Sequence, residues 1–391
     1  MRHLLLTAAL VSAAAAPPLL ANDSMVEQIG AGNTATVTQT GGTGGSSDIY
    51  QTGDDDSASV IQSDGGGSGT NIAEIDQLGG SGIQTASITQ ANSTSGAVNT
   101  ATILQDSTEG GNSAEIEQTG SDNTAAAQQG PGAASSGPPA SITNSSTEII
   151  QAGTGNTATT DQIVGSNGGD NNQASITQSG SFNTAGVIQG TGTAATGGLG
   201  ISANDNDNSA TILQDGLSHM SNIEQGGESG TALNTQFGDS NESAIVQSGG
   251  IPISGANSAI VNQDGSGNFS VVNQTSDHGD LPAVPALTSA IVTQSGNLHV
   301  STINQAPVGG HMATVLQDGA SHESLINQDG LDNKAYLTQE LSGQVSEIHQ
   351  TDLTFLGSTI DNTATVTQTA SSGNMSFITQ MGVQNTSTVM Q

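Results

Sequence analysis

The chain has 391 residues, enough by length for two or three ordinary domains. Aromatics are 2%, Trp and Cys are absent and 53 residues are Gly, which leaves too little large apolar volume for a thick core and no disulfides to replace one. The formal net charge of −33, from 35 acidic against 2 basic residues, excludes a nucleic-acid phosphate backbone as partner.

Arg2 and His3 precede an apolar run from Leu4 to Ala16, and small residues follow to Ala21. Residues 1–21 read as an export signal peptide, too short to span a bilayer; no later segment reaches the ~18–20 apolar residues of a transmembrane helix. The rest, 22–391, reads as one repeat array. Its first phrase, "NDSMVEQ", runs from Asn22 to Gln28, directly after the expected cleavage point. The second opens the octapeptide "NTATVTQT", Asn33 to Thr40, which recurs from Asn362 to Thr369.

Asn33, Ala35, Val37 and Gln39 fall on alternate residues, one face of a β-strand. The same spacing occurs 28 times, anchored from Gln28 to Gln391. Four residues before each Gln stands Ala in 17 cases, Ser in 10 and Thr once, at Thr147. Two before it stands Ile, Val or Leu, except at Ala127, Thr160 and Asn234; six before it, Asn in 17 cases. One-signed charge at low hydrophobicity is a signature of disorder, but a disordered chain has no reason to hold such a phase.

Spacing between anchors is most often 11, leaving short connections such as Ile29-Gly30-Ala31-Gly32, where Gly takes the positive φ of a tight arc. From Gln118 onward a fixed spacing of 11 or 12 alternates with a variable one of 11 to 25. Small residues also alternate, Ser221, Ala232, Ser243, Ala259 and onward. Both periods are two strands, so one layer is strand–arc–strand. The expected fold is an all-β solenoid, two strands per layer, of about 14 layers and 28 short parallel-stacking strands. At ~4.8 Å per layer the rod is roughly 65 Å long. Insertions collect on one edge after Gln118 and on the other edge earlier.

Inward Ile and Val rows pack on Ala and Ser rows, while Asn and Gln close each strand's ends. A buried amide alone is costly, but stacked amides bond to the copies above and below. The first strand opens the expected mature chain and "NTSTVMQ" ends it at Gln391, so both ends are expected to be open to another layer. Acidic charge opposes that addition. Asp-Gly pairs after the strand, as at Asp215-Gly216 and Asp318-Gly319, are turn chemistry or gatekeepers.

The unit Q-x-G-x-x-N-x-A-x-I/V-x-Q, seen in "QIGAGNTATVTQ" (28–39), "QTGSDNTAAAQQ" (118–129) and "QDGLDNKAYLTQ" (328–339), resembles the curlin repeat of bacterial curli fibre subunits. The resemblance covers nearly all of 22–391. It implies a self-assembling extracellular amyloid-like fibre, used in adhesion and biofilm, with a nucleator subunit and an outer-membrane export machinery as partners. Its stacking amides map onto Asn22, Gln28, Asn33, Gln39, Asn112, Gln118, Asn333, Gln339, Asn362, Gln368, Asn385 and Gln391. The rival reading is a monomeric surface adhesin that binds through its loop insertions.

His299, His311 and His322 take the Asn position in three consecutive strands. They are expected to replace Asn as ladder bonders, with His299 and His322 stacked one layer apart; a shared metal is the rival reading. The run Asn204–Ser209 offers oxygen ligands for weak calcium binding, but no calcium motif is present and no ion or cofactor is required. No catalytic constellation stands apart from the repeat, so an enzyme is not expected.

Overall fold

In the strand 34–40, Thr34, Thr36, Thr38 and Thr40 face solvent while Ala35, Val37 and Gln39 turn inward. That alternation, repeated with β-branched residues at the inner positions, favours a half-buried strand over a helix. In the computed structural model the repeats form two parallel sheets of 14 strands each. The structure describes residues 22–391 except 43, 65–68, 80–81, 93–95, 108–110, 132–141, 165–168, 191–206, 228, 251–256, 278–286, 307–309 and 352–360. The export segment 1–21, the first half of the Asn204–Ser209 run and the centres of the long junctions lie outside the described residues.

Successive strands alternate between the sheets. Asp23–Ile29, Ser46–Thr52 and Thr70–Gly79 begin the first sheet; Thr34–Thr40, Ser57–Asp64 and Thr85–Asn92 begin the second. Each layer is therefore two strands joined by an arc, as the two-strand periods require. The register sets every anchor in line: Gln28 on Gln51 on Gln77 in the first sheet, Gln39 on Gln62 on Gln90 in the second. Ser at the small position belongs to the later layers of the first sheet, where Ser221, Ser243 and Ser270 align. Ala belongs to the second sheet, where Ala210, Ala232 and Ala259 align.

The core is one cluster running along the axis, from Ile49 and Val60 to Val366 and Ile378, most of it fully buried. Each buried Ile or Val contributes about 1.5–3 kcal/mol. Two exceptions to the inner pattern are met locally. Asn234, at an Ile/Val position, donates its amide to the Ser221 hydroxyl. Thr147, at a small position, donates 3.2 Å to Gln162 Oε1. The first and last layers differ from the rest: their strands are largely exposed, with Met25 at 57% and Met390 at 77%.

The two edges are unlike. After Gln118 every return from the second sheet to the first spans 11 or 12 residues, while the lengthened junctions run from the first sheet to the second. The short edge stacks Gly120, Gly153, Gly180, Gly216, Gly238, Gly265, Gly296 and Gly319, all at positive φ. A Cβ on Gly180 would lie 1.9 Å from the Gly216 carbonyl oxygen, and its row neighbours are as tight. Only glycine lets the backbones approach this closely. A separate pair, Ile142–Thr143 with Gly169–Asp170, joins two lengthened junctions outside the main sheets.

Candidate self-assembly ladder

At the glutamine end the amides form two unbroken chains. In the first sheet Gln28 Nε2 donates to Gln51 Oε1 at 2.6 Å, Gln51 to Gln77 at 2.7 Å, and so on to Gln350 and Gln380 at 2.7 Å. In the second sheet the chain runs from Gln39–Gln62 at 2.7 Å through Gln118–Gln151 at 2.8 Å and Gln339–Gln368 at 3.0 Å to Gln368–Gln391 at 3.0 Å. The second amide proton crosses to the facing sheet, as from Gln51 Nε2 to the Thr34 carbonyl at 3.2 Å and from Gln118 Nε2 to the Thr100 carbonyl at 3.0 Å. That cross-bond fixes which way each amide points. All donors therefore face the C-terminal layer and all acceptors the N-terminal one.

The asparagine end works differently. Asn33 Oδ1 accepts the backbone N–H of Asp56 in the layer above at 3.0 Å, and its Nδ2 donates to the Gly53 carbonyl at 3.0 Å. Asn22 accepts from Gly45 at 3.1 Å, Asn112 from Ser145 at 3.2 Å, and Asn362 from Asn385 at 2.9 Å. Asn333 and Asn385 donate to the carbonyls of Asp329 at 2.8 Å and Met381 at 3.0 Å. Here side chain mostly meets backbone, Asn71 with Asp64 at 2.9 Å and Asn374 with Ser371 at 2.7 Å being exceptions, an arrangement that strand spacing alone does not reveal.

Three rings stand in for Asn in the first sheet. His219 Nε2 lies 3.2 Å from the Asp215 carbonyl while Nδ1 takes the Asn241 N–H at 3.2 Å. His299 Nε2 lies 3.0 Å from the Ser295 carbonyl, and its Nδ1 takes the His322 N–H at 3.3 Å. His322 repeats this with Asp318, at 3.0 Å, and Gln344, at 3.2 Å. The His299 and His322 rings stack with centroids 5.0 Å apart and planes 6° apart. Both nitrogens of each ring are thus engaged inside the stack, which does not favour a shared metal. His311 lies in the second sheet, away from that pair, bonded to the Ala306 carbonyl at 3.1 Å. Burial pushes the pKa of His219, His299 and His322 below the ordinary value, and that of His311 down to about 4. His219 escaped the sequence reading, although its position six residues before Gln225 marks it.

At the two ends, Gln28 and Gln39 receive no side-chain donor on Oε1 among the described residues. Gln391 Nε2 has one bond, to the Met375 carbonyl at 3.2 Å. Gln380 turns its spare proton to the Ser387 hydroxyl at 3.1 Å. No helix among the described residues is long and apolar enough to cross a membrane.

Two stretches of the chain, 169–196 and 312–340, match the curlin associated repeat family. A search of curated proteins returns no match.

Proposed function

We propose that this chain, two stretches of which match the curlin associated repeat, is a structural subunit of an extracellular, curli-type amyloid-like fibre, adding copies end to end. The observation that carries this reading is the polarity of the glutamine chains. Among the described residues, acceptors are left at the layer of Gln28 and Gln39, while at the other end Gln391 keeps a donor and Gln380 has turned its second proton to Ser387. Two copies joined head to tail continue both chains; joined head to head they set acceptor against acceptor. Head-to-tail contact is heterologous and does not close, so it propagates as a filament. The exposed apolar side chains of the end layers, Met25, Ile29, Met375, Phe377 and Met390, lose water in the same step.

The stacking set, from Asn22 and Gln28 to Asn385 and Gln391, is then both internal glue and intermolecular template. Adhesion and biofilm matrix, a secreted cell-surface location, a nucleator subunit and an outer-membrane export machinery follow as parts of this proposal. The net charge of −33 favours the rival, a monomeric adhesin acting through its lengthened junctions, because like-charged rods repel.

Thioflavin T fluorescence with electron microscopy on the chain from residue 22 onward, at neutral pH in low and high salt, tests the reading. Unbranched dye-binding fibres, forming faster in high salt where repulsion is screened, are expected. Persistent monomers with a β-rich circular dichroism spectrum in both salts would overturn it and leave the adhesin.

A further inference from the structure

Asn at the ladder position offers one acceptor, Oδ1, to the N–H above, and donors to carbonyls at its own level and the next. Asn156 shows the full pattern: Oδ1 takes the Asn183 N–H at 3.0 Å, and Nδ2 gives to the carbonyls of Ala152 and Gly180, both at 3.2 Å. A neutral imidazole carrying its proton on Nε2 reproduces this, with Nδ1 for Oδ1 and Nε2–H for Nδ2–H. An imidazolium does not, because both nitrogens are then donors. A charged ring at these sites sets Nδ1–H against the backbone N–H of the next layer, with no water at hand, since His219, His299 and His322 are at most 1% exposed.

We propose that His219, His299 and His322 are a proton-operated seam: each closes its layer joint only as the neutral Nε2–H ring, and protonation opens the stack there. The joints are His219 with Asn241, His299 with His322, and His322 with Gln344, so two of them are consecutive. In the stacked pair one charged ring also repels a second. The carboxylates near the rings are Asp215 and Asp239 for His219, and Asp318 for His299 and His322; they favour the charged ring, but burial outweighs them. The sign follows. The folded-state pKa lies below the unfolded value of about 6.5, so the stability of these joints is complete above that pH and declines as pH falls below it. The device acts within one chain and does not rest on fibre formation.

Residue-resolved amide exchange on the chain from residue 22 onward, at about pH 7.5 and about pH 5, reads it directly. After correction for intrinsic exchange, the amides of Asn241, His322 and Gln344 are expected to lose about tenfold or more in protection at the lower pH. Those of Asn156 and Asn183, which bond to Asn side chains, keep theirs. The triple variant His219→Asn/His299→Asn/His322→Asn carries the residue that other layers use and is expected to lose nothing. Unchanged protection of the three amides in the unsubstituted chain, or an equal loss in the variant, would overturn the proposal. Nitrogen-15 spectra of the unsubstituted chain stand apart from the variant's folding: rings with a protonated Nδ1 at neutral pH would overturn it as well.

Discussion

At the glutamine end of each strand a side-chain amide bonds to a side-chain amide, whereas at the asparagine end the amide bonds mostly to backbone. The first end admits no substitute in any of the 28 strands of the two sheets. The second admits His219, His299, His311 and His322, and also Gly45, Asp56, Gln84, Ser145, Gly230, Thr288 and Gln344. The reason is the number of bonds that must be made by one planar group. Gln263 receives Gln236 Nε2 at 2.8 Å, gives to Gln294 Oε1 at 2.8 Å, and gives to the Glu242 carbonyl in the facing sheet at 3.0 Å. No other side chain of that length offers an acceptor and two donors. The asparagine end asks mainly for an acceptor over one backbone N–H. Even Gly230 satisfies the joint beneath it, by giving its N–H to Asn208 Oδ1 at 2.8 Å.

The sharpest break of this contrast is Gln263→Glu. At neutral pH it sets a buried carboxylate against two acceptors, Gln294 Oε1 and the Glu242 carbonyl, and cancels both donors. A loss of about 3–5 kcal/mol is expected, seen as lost amide protection in strands 231–239, 257–266 and 288–297 and partly restored in acid as the carboxyl regains a proton. Protection unchanged at neutral pH would mean the amide chain contributes little.

Gly180→Ala comes next, and it tests the short edge that lets the Asn amide reach a carbonyl of the next layer. Its φ is +99° and the new Cβ would lie 1.9 Å from the Gly216 carbonyl oxygen. About 2–4 kcal/mol of local stability should go. Gly96 has a similar φ of +86° but nothing among the described residues within 4 Å of its Cβ position, so Gly96→Ala should cost about 1 kcal/mol, the backbone strain alone. Equal losses at the two sites, by the same exchange measurement, would remove the close approach as the cause.

Much of this was legible in the sequence because a stack repeats its demands. The inner face of "NTATVTQ" had to recur wherever a layer recurred, so strand number, layer size and the short edge could all be read from spacing. Spacing carries no information on where a hydrogen bond ends. Asn33 and Gln39 look alike as inward amides, yet Asn33 bonds to backbone alone while Gln39 bonds to the Gln62 side chain as well as to a facing carbonyl, because the arc brings its own carbonyl and N–H within reach of Asn only. Nor did the sequence show that Asn234 answers Ser221, which lies 13 residues earlier and in the facing sheet.

A milder substitution sharpens the comparison at the tolerant end. Asn156→Ala leaves the Asn183 N–H and the carbonyls of Ala152 and Gly180 without their partner, for about 1–3 kcal/mol. Asn156→His should cost less at neutral pH, since a neutral ring supplies the same bonds, and the two variants should converge in acid. A histidine variant as damaging as alanine at neutral pH would deny that the ring reproduces the amide.

Asp56→Asn is expected to have the smallest effect and the opposite pH dependence. Asp56 is 1% exposed, and its Oδ1 accepts the Gln84 N–H at 3.1 Å as an Asn would. Oδ2, at the place of the missing Nδ2, has no partner among the described residues. Burial raises its pKa above the ordinary 3.8, against the opposing Gln84 N–H and with Asp54 and Asp55 adding to the rise; a proton on Oδ2 would supply the donor that Asn supplies. A raised folded-state pKa means stability that is complete below the unfolded value and lost as pH rises through the folded one. At neutral pH Asp56 therefore works against its joint, and Asp56→Asn should gain on the order of 1 kcal/mol there, read as slower exchange of the Gln84 amide. The gain should vanish toward the ordinary carboxylate pKa, where Asp56 takes its own proton. Acid thus tightens this joint near the N-terminal end while it loosens the histidine joints further along. An equal gain at both pH values would show that the carboxyl is not the titrating group.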